Sequence, residues 1–539
     1  MKKTTLSLLL ALALPAPMIM GAAPKEPRPV RHLTILHTTD LHGQLEPHLE
    51  YEWPDGPQAA PRAWRAGGLA HLKTLFDRVR AEQPGRTLIV DTGDTFQGSA
   101  IAALSEGKAI PPLMNMLGYD VMLPGNWEVV YGPHALISLM KQYAAPTVTS
   151  NLFEEASGRP VFPPYVVKTV NGVRIGVLGY TDHFVKTRQS PAYSAGLRYS
   201  EPAATVEADV KRLREREKVD VVLALGHLGL AQQVWLADQP GAEGIDFLLG
   251  GDTHERLRQP VAMRHTQVTE PGAFGSYVGR LDLEVENGRV VKSSYQLVPV
   301  DADTLPADPV VAAAIEQAKA PYRKEMSRVI GRLAAPVARY SVVESPFDNM
   351  VADAVREATG VDFAVSNGFR FGAPKPAGDF TVADLYDYLP VDSNLKTGEV
   401  TGRQVRDWLE GELENVFAVD ATKRFGGWVV RPSGLTFTFD SRRAKGERLL
   451  EVKIGGKPLE TDRTYAMAAC EREGDAPDTL CRLRGARNTR VLDTTIHQAM
   501  AGYLDRHSPV TPRLEQRVRA VDLPPVLRTQ GGAPGYDFW

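Results

Sequence analysis

The sequence predicts an α/β protein in two parts: a layered domain of β-sheets flanked by helices, followed by a smaller α+β domain. Three observations carry this. The chain has 539 residues, 43% of them hydrophobic, too long for one ordinary core and apolar enough for more than one. From residue 32 to about 300, short apolar runs that end in polar residues alternate with helical patterns. Over residues 306–340 the chain becomes Pro- and Ala-rich before a new pattern begins. The expected division is a signal peptide over 1–23, a first domain over 24–305, a connector with a helix over 306–340, a second domain over 341–525 and a flexible tail over 526–539.

The elements follow in order. Lys2 and Lys3 precede an apolar run from Leu6 to Met20, and Gly21-Ala22-Ala23 supplies small residues for cleavage, the pattern of a secretory signal. The alternative, a membrane anchor, is short of the ~20 residues a span requires and contains Pro15 and Pro17. A periplasmic protein without a membrane span after cleavage is therefore expected. "LTILHTTD", "TLIVDTGD", "VRIGVLGYTD", "VDVVLALGH" and "IDFLLGGDTH" read as buried strands of a mainly parallel sheet. Between the first two, Leu69, Leu72, Leu75, Phe76 and Val79 recur on one helical face. The connector should hold a helix from Pro309 to Lys324, and the second domain opens with the helical pattern "FDNMVADAVREATG".

Composition excludes some functions. With 62 basic against 65 acidic side chains the net charge is -3, so no global field recommends a nucleic acid polymer or an anionic membrane. Two cysteines occur, Cys470 and Cys481. In an oxidising compartment such neighbours usually pair, and so short a loop would stabilise the fold by about 3 kcal/mol. A zinc site would lack companion ligands in the segment, and a redox pair usually has C-x-x-C spacing.

The chemistry sits at the strand ends, where ligands bind in such sheets. They carry Asp40 and His42, Asp91 and Asp94, Asn126, His227, and Asp252 and His254. One Asp after a strand is most often a cap or turn residue, and one His a satisfied polar group. Five clusters at successive strand ends suit two divalent cations ~3.5 to 4 Å apart with a bridging carboxylate. Carboxylate, amide and imidazole ligands without thiolates favour manganese, with zinc or iron as alternatives.

In "TTDLHGQ", "DTGDTFQGS", "GNWE", "GHLG" and "GGDTHE" the chain resembles the calcineurin-like metallophosphatases, in the order used by the secreted 5'-nucleotidases. "NGFRFG" and "FGGWVVRPSGLTF" are similar to their substrate-binding domain. Within that superfamily the Trp of "GNWEVVYG", "TGRQVRDWLEGELENVF" and above all "CEREGDAPDTLCR" resemble the SoxB thiosulfohydrolases. What this implies is release of sulfate from a cysteine S-thiosulfonate on the flexible arm of a SoxYZ-like carrier protein; the alternative on the same scaffold is a 5'-nucleotidase or broad phosphoesterase acting on a small nucleotide. The resemblance makes Asp40, His42 and Asp94 ligands of a first metal, with Asp94 bridging, and Asn126, His227, Asp252 and His254 the rest of the site. Asp252 stands where the family usually has an imidazole.

The resemblance also marks a loss. The nucleotidase block G-N-H-E-x-x-D has a His–Asp dyad that assists the leaving group, and Trp127 and Val130 replace it here. An alkoxide benefits from a proton donor, whereas a thiolate with a conjugate-acid pKa of about 8.5 departs with little help. The plainer reading is that Trp127 packs the loop. Asn126, Trp127 and Arg370 are thus the catalytic candidates. Asn367, Arg370, Phe425, Trp428, Arg472 and Asp475 are the substrate candidates, the aromatics having ordinary core packing as their alternative.

Overall fold

A computed structural model describes residues 29–52, 62–339, 341–366, 372–424, 428–523 and 536–537. The expected signal peptide, residues 1–23, lies outside them, as do Asn367, Arg370 and Phe425. No helix among the described residues is long and apolar enough to cross a membrane.

The first domain is built on two sheets, in keeping with the layered β-sheets expected. Strands β1 (Arg31–Thr38), β2 (Thr87–Asp91) and β3 (Val121–Met122) run parallel, and Tyr277–Glu286 and Arg289–Pro299 extend that sheet antiparallel beyond β1. Strands β4 (Val173–Thr181), β5 (Val221–His227) and β6 (Phe247–Gly251) are parallel in the second sheet, which ends in antiparallel edges at Tyr165–Val170 and Val261–Ala262. The strands read as unbroken apolar runs because both faces are covered. Leu33, Ile35, Leu88 and Val90 face Val177, Leu223 and Leu249 in one core between the sheets. Leu36 and Ile89 point the other way, into a core with Leu72, Leu75 and Phe76 of helix α1 (Leu69–Glu82). Leu178, Val222 and Leu248 meet Val210, Leu213 and Leu236 on the far side. The order is therefore helix, sheet, sheet, helix, and the parallel strands of both sheets point their carboxyl ends to one rim.

The connector divides between the domains. Its helix ends earlier than expected, at Lys319, with a separate turn from Arg323 to Met326. Pro321 accounts for the break, since it lacks the amide that the helix needs and crowds the preceding turn. Val311 and Ile315 of that helix are buried in the α1 core, whereas Val329–Leu333 pairs with Gly378–Thr381 of the second domain. At the far end, within the stretch expected to be loose, Tyr536–Asp537 pairs with Arg256–Leu257.

In the second domain the expected helix spans Pro346–Thr359, capped by Ser345 and closed by Gly360 at φ 67. It packs on a five-stranded sheet whose order is Arg431–Ser433, Phe363–Ser366, Thr464–Cys470, Asn394–Thr401 and Arg487–Thr495. Beneath the end of Phe363–Ser366, Asp348 accepts from Arg339 Nη2 at 2.8 Å and from Ser366 Oγ at 2.9 Å, with Arg431 Nε 3.8 Å away. Burial would raise the Asp348 carboxyl, but Arg339 and Arg431 hold it below its ordinary value.

Breaking this buried cluster should be costly: Asp348→Ala is expected to destabilise the chain by about 3 to 5 kcal/mol in a denaturant titration, because two buried guanidinium groups lose this carboxylate. A depressed folded-state pKa contributes stability above the unfolded value and loses it as the pH falls. The gap between wild type and variant should therefore narrow below about pH 4.

Candidate metal centre

The rim residues depart from ordinary backbone. Asp40, His42, Asp94, Asp252 and His254 have positive φ of 52°, 50°, 56°, 90° and 63°. Non-glycine residues adopt this region at a cost, and such residues gather at functional sites. The turns also bring backbones together. A Cβ at Gly125 would lie 2.1 Å from Asp94 Oδ1, and one at Gly251 2.0 Å from Thr39 Oγ1, so glycine is the residue that fits either place.

The side chains converge. His254 Nε2 is 3.1 Å from His42 Nε2 and 3.4 Å from Asp40 Oδ1. His227 Nε2 lies 3.3 Å from Asp94 Oδ2, and His42 Nε2 lies 3.8 Å from the same oxygen, which places Asp94 between the two imidazoles. Two groups, Asp40 with His42 and His254, and Asp40 with Asp94 and His227, hold their ligand atoms within 4.8 Å of one another. The structure thus gathers five of the seven expected ligands into these two groups, with Asp252 beside His227 and Asn126 joining through Asp252. Asn126 Nδ2 donates to Asp252 Oδ1 at 2.8 Å, and that oxygen is 3.8 Å from His227 Nε2.

The donor set fits divalent cations on independent grounds. His42 Nδ1–H donates to the Gln97 carbonyl at 2.8 Å and His227 Nδ1–H to the Thr92 carbonyl at 2.7 Å, which leaves each Nε2 to face the rim. Asp40 Oδ1, Asn126 Oδ1 and His227 Nε2 are buried without a hydrogen-bond partner, an arrangement that needs an explanation. Burial, and then His254, lower His42 to about 3, so its imidazole is neutral, the form that binds a metal. Burial alone would raise Asp40, but His254, His227 and His42 together hold it well below the carboxylate range. Burial opposes the charged form of His227, yet Asp94 and Asp40 raise its pKa well above the ordinary value. A divalent cation held among these groups would take the place of that proton.

Three supporting residues were not singled out in the sequence. Glu128 is fully buried and accepts from Thr95 N at 2.6 Å, Gly125 N at 2.8 Å and Asp94 N at 3.1 Å, tying the second and third strand-end loops together. Burial and the neighbouring Asp94 push its carboxyl up to about 8. Asp182, at the end of β4, and Arg188, the last residue of helix α2 (Val185–Arg188), stand against Asp252 and Asn126. Asp182 could have been found, since "YTD" ends a strand like the other motifs; Arg188 carries no motif.

Beside the rim a cleft opens between the domains. Trp127, Arg188 and Tyr193 line it from the first domain, and Leu389, Val391 and Cys470 from the second. The Trp127 side chain is half-buried there, and its backbone N–H donates to Asp94 Oδ1 at 2.8 Å. Arg472 also lines the cleft, but its fork is engaged: Nη2 donates to the carbonyl of Thr187 at 2.8 Å and to that of Gln189. Asp475 stands 3.7 Å from Arg472 Nη1. Trp428 is half-buried. In the thiol form, burial pushes Cys470 and Cys481 up to about 12, so neither is a ready thiolate at neutral pH.

Comparison with known proteins agrees with this geometry. Residues 33–256 match the calcineurin-like phosphoesterase family and residues 329–470 the 5'-nucleotidase C-terminal domain. The chain is 26% identical to the trifunctional nucleotide phosphoesterase protein YfkN of Bacillus subtilis over 91% of its length, although it spans only 35% of that larger protein. It is 25% identical to the 5'-nucleotidase of Vibrio cholerae, covering 89% of this chain and 91% of that one. Among solved structures, the sulfate thiohydrolase SoxB of Thermus thermophilus is similar with a TM-score of 0.83 and 25% identity, covering 92% of this chain and 98% of that one. The five strand-end motifs thus lie in a calcineurin-like phosphoesterase domain followed by a 5'-nucleotidase C-terminal domain, and the chain is a metal-dependent hydrolase of that superfamily.

Proposed function

We propose that this is an exported dinuclear hydrolase that releases sulfate from a cysteine S-thiosulfonate presented by a carrier protein. One observation carries the reading: an otherwise complete metal rim has an indole, Trp127, at the cleft wall where the nucleotidase block has its imidazole. Val130 stands where that block has its carboxylate, so the dyad is lost as a unit. A reaction with a good leaving group tolerates this loss; one that expels an alkoxide does not. The similarity to a sulfate thiohydrolase supports the same substrate class. The nucleotide-related names of YfkN and the Vibrio protein favour a second reading, a 5'-nucleotidase or broad phosphoesterase.

Asp40, His42, Asp94 and His254 would hold one divalent cation and Asp94, Asn126, His227 and Asp252 the other, manganese being the metal proposed. When bound, such a pair activates a water and neutralises charge gathering on the oxyanion. The chain's own residues do the rest. Gln97 and Thr92 carbonyls fix the tautomers of His42 and His227. The Trp127 amide orients Asp94, and the indole and Tyr193 line the cleft beside it. A thiosulfonate on a peptide arm would enter between the domains, with Asn367, Arg370, Phe425 and Trp428 as the proposed recognition residues. A Cys470–Cys481 disulfide is proposed for the exported protein.

Steady-state assays of the metal-loaded protein on both substrate classes test the reading. The parent should cleave thiosulfonates much faster than 5'-nucleotides; equal rates would refute it. Trp127→His combined with Val130→Asp should raise nucleotide hydrolysis at least tenfold over the parent, within the 10²–10⁴-fold range typical of general acid–base catalysis, while either single change does less.

Metal analysis of protein purified without chelator should find two ions per chain, and Asp94→Ala should lower that number. Mass spectrometry of exported material under non-reducing conditions should find Cys470 and Cys481 joined; two alkylatable thiols would contradict the pairing.

A further inference from the structure

Asp252 brings a negative charge to a place where the family has a neutral imidazole, and the structure shows what accompanies it. Arg188 Nη1 donates to Asp252 Oδ2 at 2.8 Å and to Asp182 Oδ2 at 2.9 Å. From the opposite side, Asn126 Nδ2 donates to Asp252 Oδ1 at 2.8 Å and to Asp182 Oδ2 at 3.3 Å. Two donors and two carboxylates close a ring. Asn126, Asp182 and Asp252 are buried, and the Arg188 side chain is 14% exposed. Burial opposes the Arg188 charge, but Asp252 and Asp182 more than restore it.

The ring decides which way Asn126 points. With both carboxylates on the Nδ2 side, a flipped amide would set its carbonyl oxygen against two anionic oxygens, so the observed orientation is the stable one. It leaves Oδ1 on the other side, buried and without a hydrogen-bond partner. Arg188 is in turn held from the second domain. Arg472 grips the carbonyls of Thr187 and Gln189 that flank it, and the Glu473 carbonyl accepts from Ala192 N at 3.4 Å and from Ser190 Oγ.

We propose that Arg188 is a positioning residue of the metal centre: through Asp182 and Asp252 it fixes the Asn126 amide with its carbonyl oxygen toward a divalent cation, and the loop around Arg472 holds Arg188 in place. The proposal rests on the two-ion reading above. It separates the two ions, because Asp40, His42 and His254 lie outside the ring, and only the ion at Asn126 depends on Arg188.

The test is to challenge manganese-loaded protein with increasing chelator and follow metal content together with the paramagnetic signature of a coupled manganese pair. Wild type should hold two ions. Arg188→Met should release one at a chelator level ten- to a hundredfold lower while keeping the other, the range expected when a residue supporting a ligand is removed. Arg472→Ala should shift the same release in the same direction by less, and Arg188→Lys should recover part of it. Added guanidinium should restore the second ion to Arg188→Ala. If Arg188→Met does not fold, Arg188→Lys and Arg472→Ala decide the matter, since both leave the buried carboxylates balanced by a nearby cation. Loss of neither ion, or of both together, overturns the proposal. A wild-type chain that itself holds fewer than two ions overturns the two-ion reading and takes this one with it.

Discussion

The structure depends on one electrostatic constraint. Asp40, Asp94 and Asp252 share a rim with His42, His227 and His254, and all but His254 are buried below a tenth of their surface. Such a collection of charges is costly to withdraw from water unless opposite charge or oriented dipoles accompany it. Each part of the first domain contributes. Parallel strands deliver the residues to one edge, left-handed turns point them inward, and main-chain carbonyls and amides hold the outward-facing atoms. What remains uncompensated is a set of lone pairs aimed at a common place, and divalent cations are the natural complement.

Much of the fold was legible because buried strands and amphipathic helices announce themselves. Leu69, Leu72, Leu75, Phe76 and Val79 recur on one face, and all five are buried. The five strand-end motifs likewise reach one rim. Which strand falls in which sheet was not legible, because a buried run such as "LTILHTTD" reads alike whether a helix or another sheet lies beyond. The early end of the connector helix had a local sign in Pro321 that the hydrophobic pattern outweighed.

The candidate site was legible where chemistry requires particular residues and opaque where support comes from tertiary contact. Asp40, His42, Asp94, Asn126 and His227 have little choice of type. Glu128 stands inside a quoted motif, but its role as acceptor for three amides from two loops depends on how those loops meet. Arg188 is further removed: only the pairing of β4 and β6 on either side of β5 brings Asp182 and Asp252 to where it can bridge them. Arg472 shows the converse, a residue expected to meet substrate whose nearest partners are carbonyls of the neighbouring domain.

The amide of Trp127 has a wider consequence. Asp94 is oriented by the main chain of position 127, while the side chain of that position faces the cleft. Any residue but proline supplies the same N–H. The group that faces the cleft can therefore be exchanged without disturbing the Asp94 carboxylate beneath it. Support of the rim and the character of the cleft wall are thus written on different atoms of one residue, and substitution here can alter the second while the first is passed on intact.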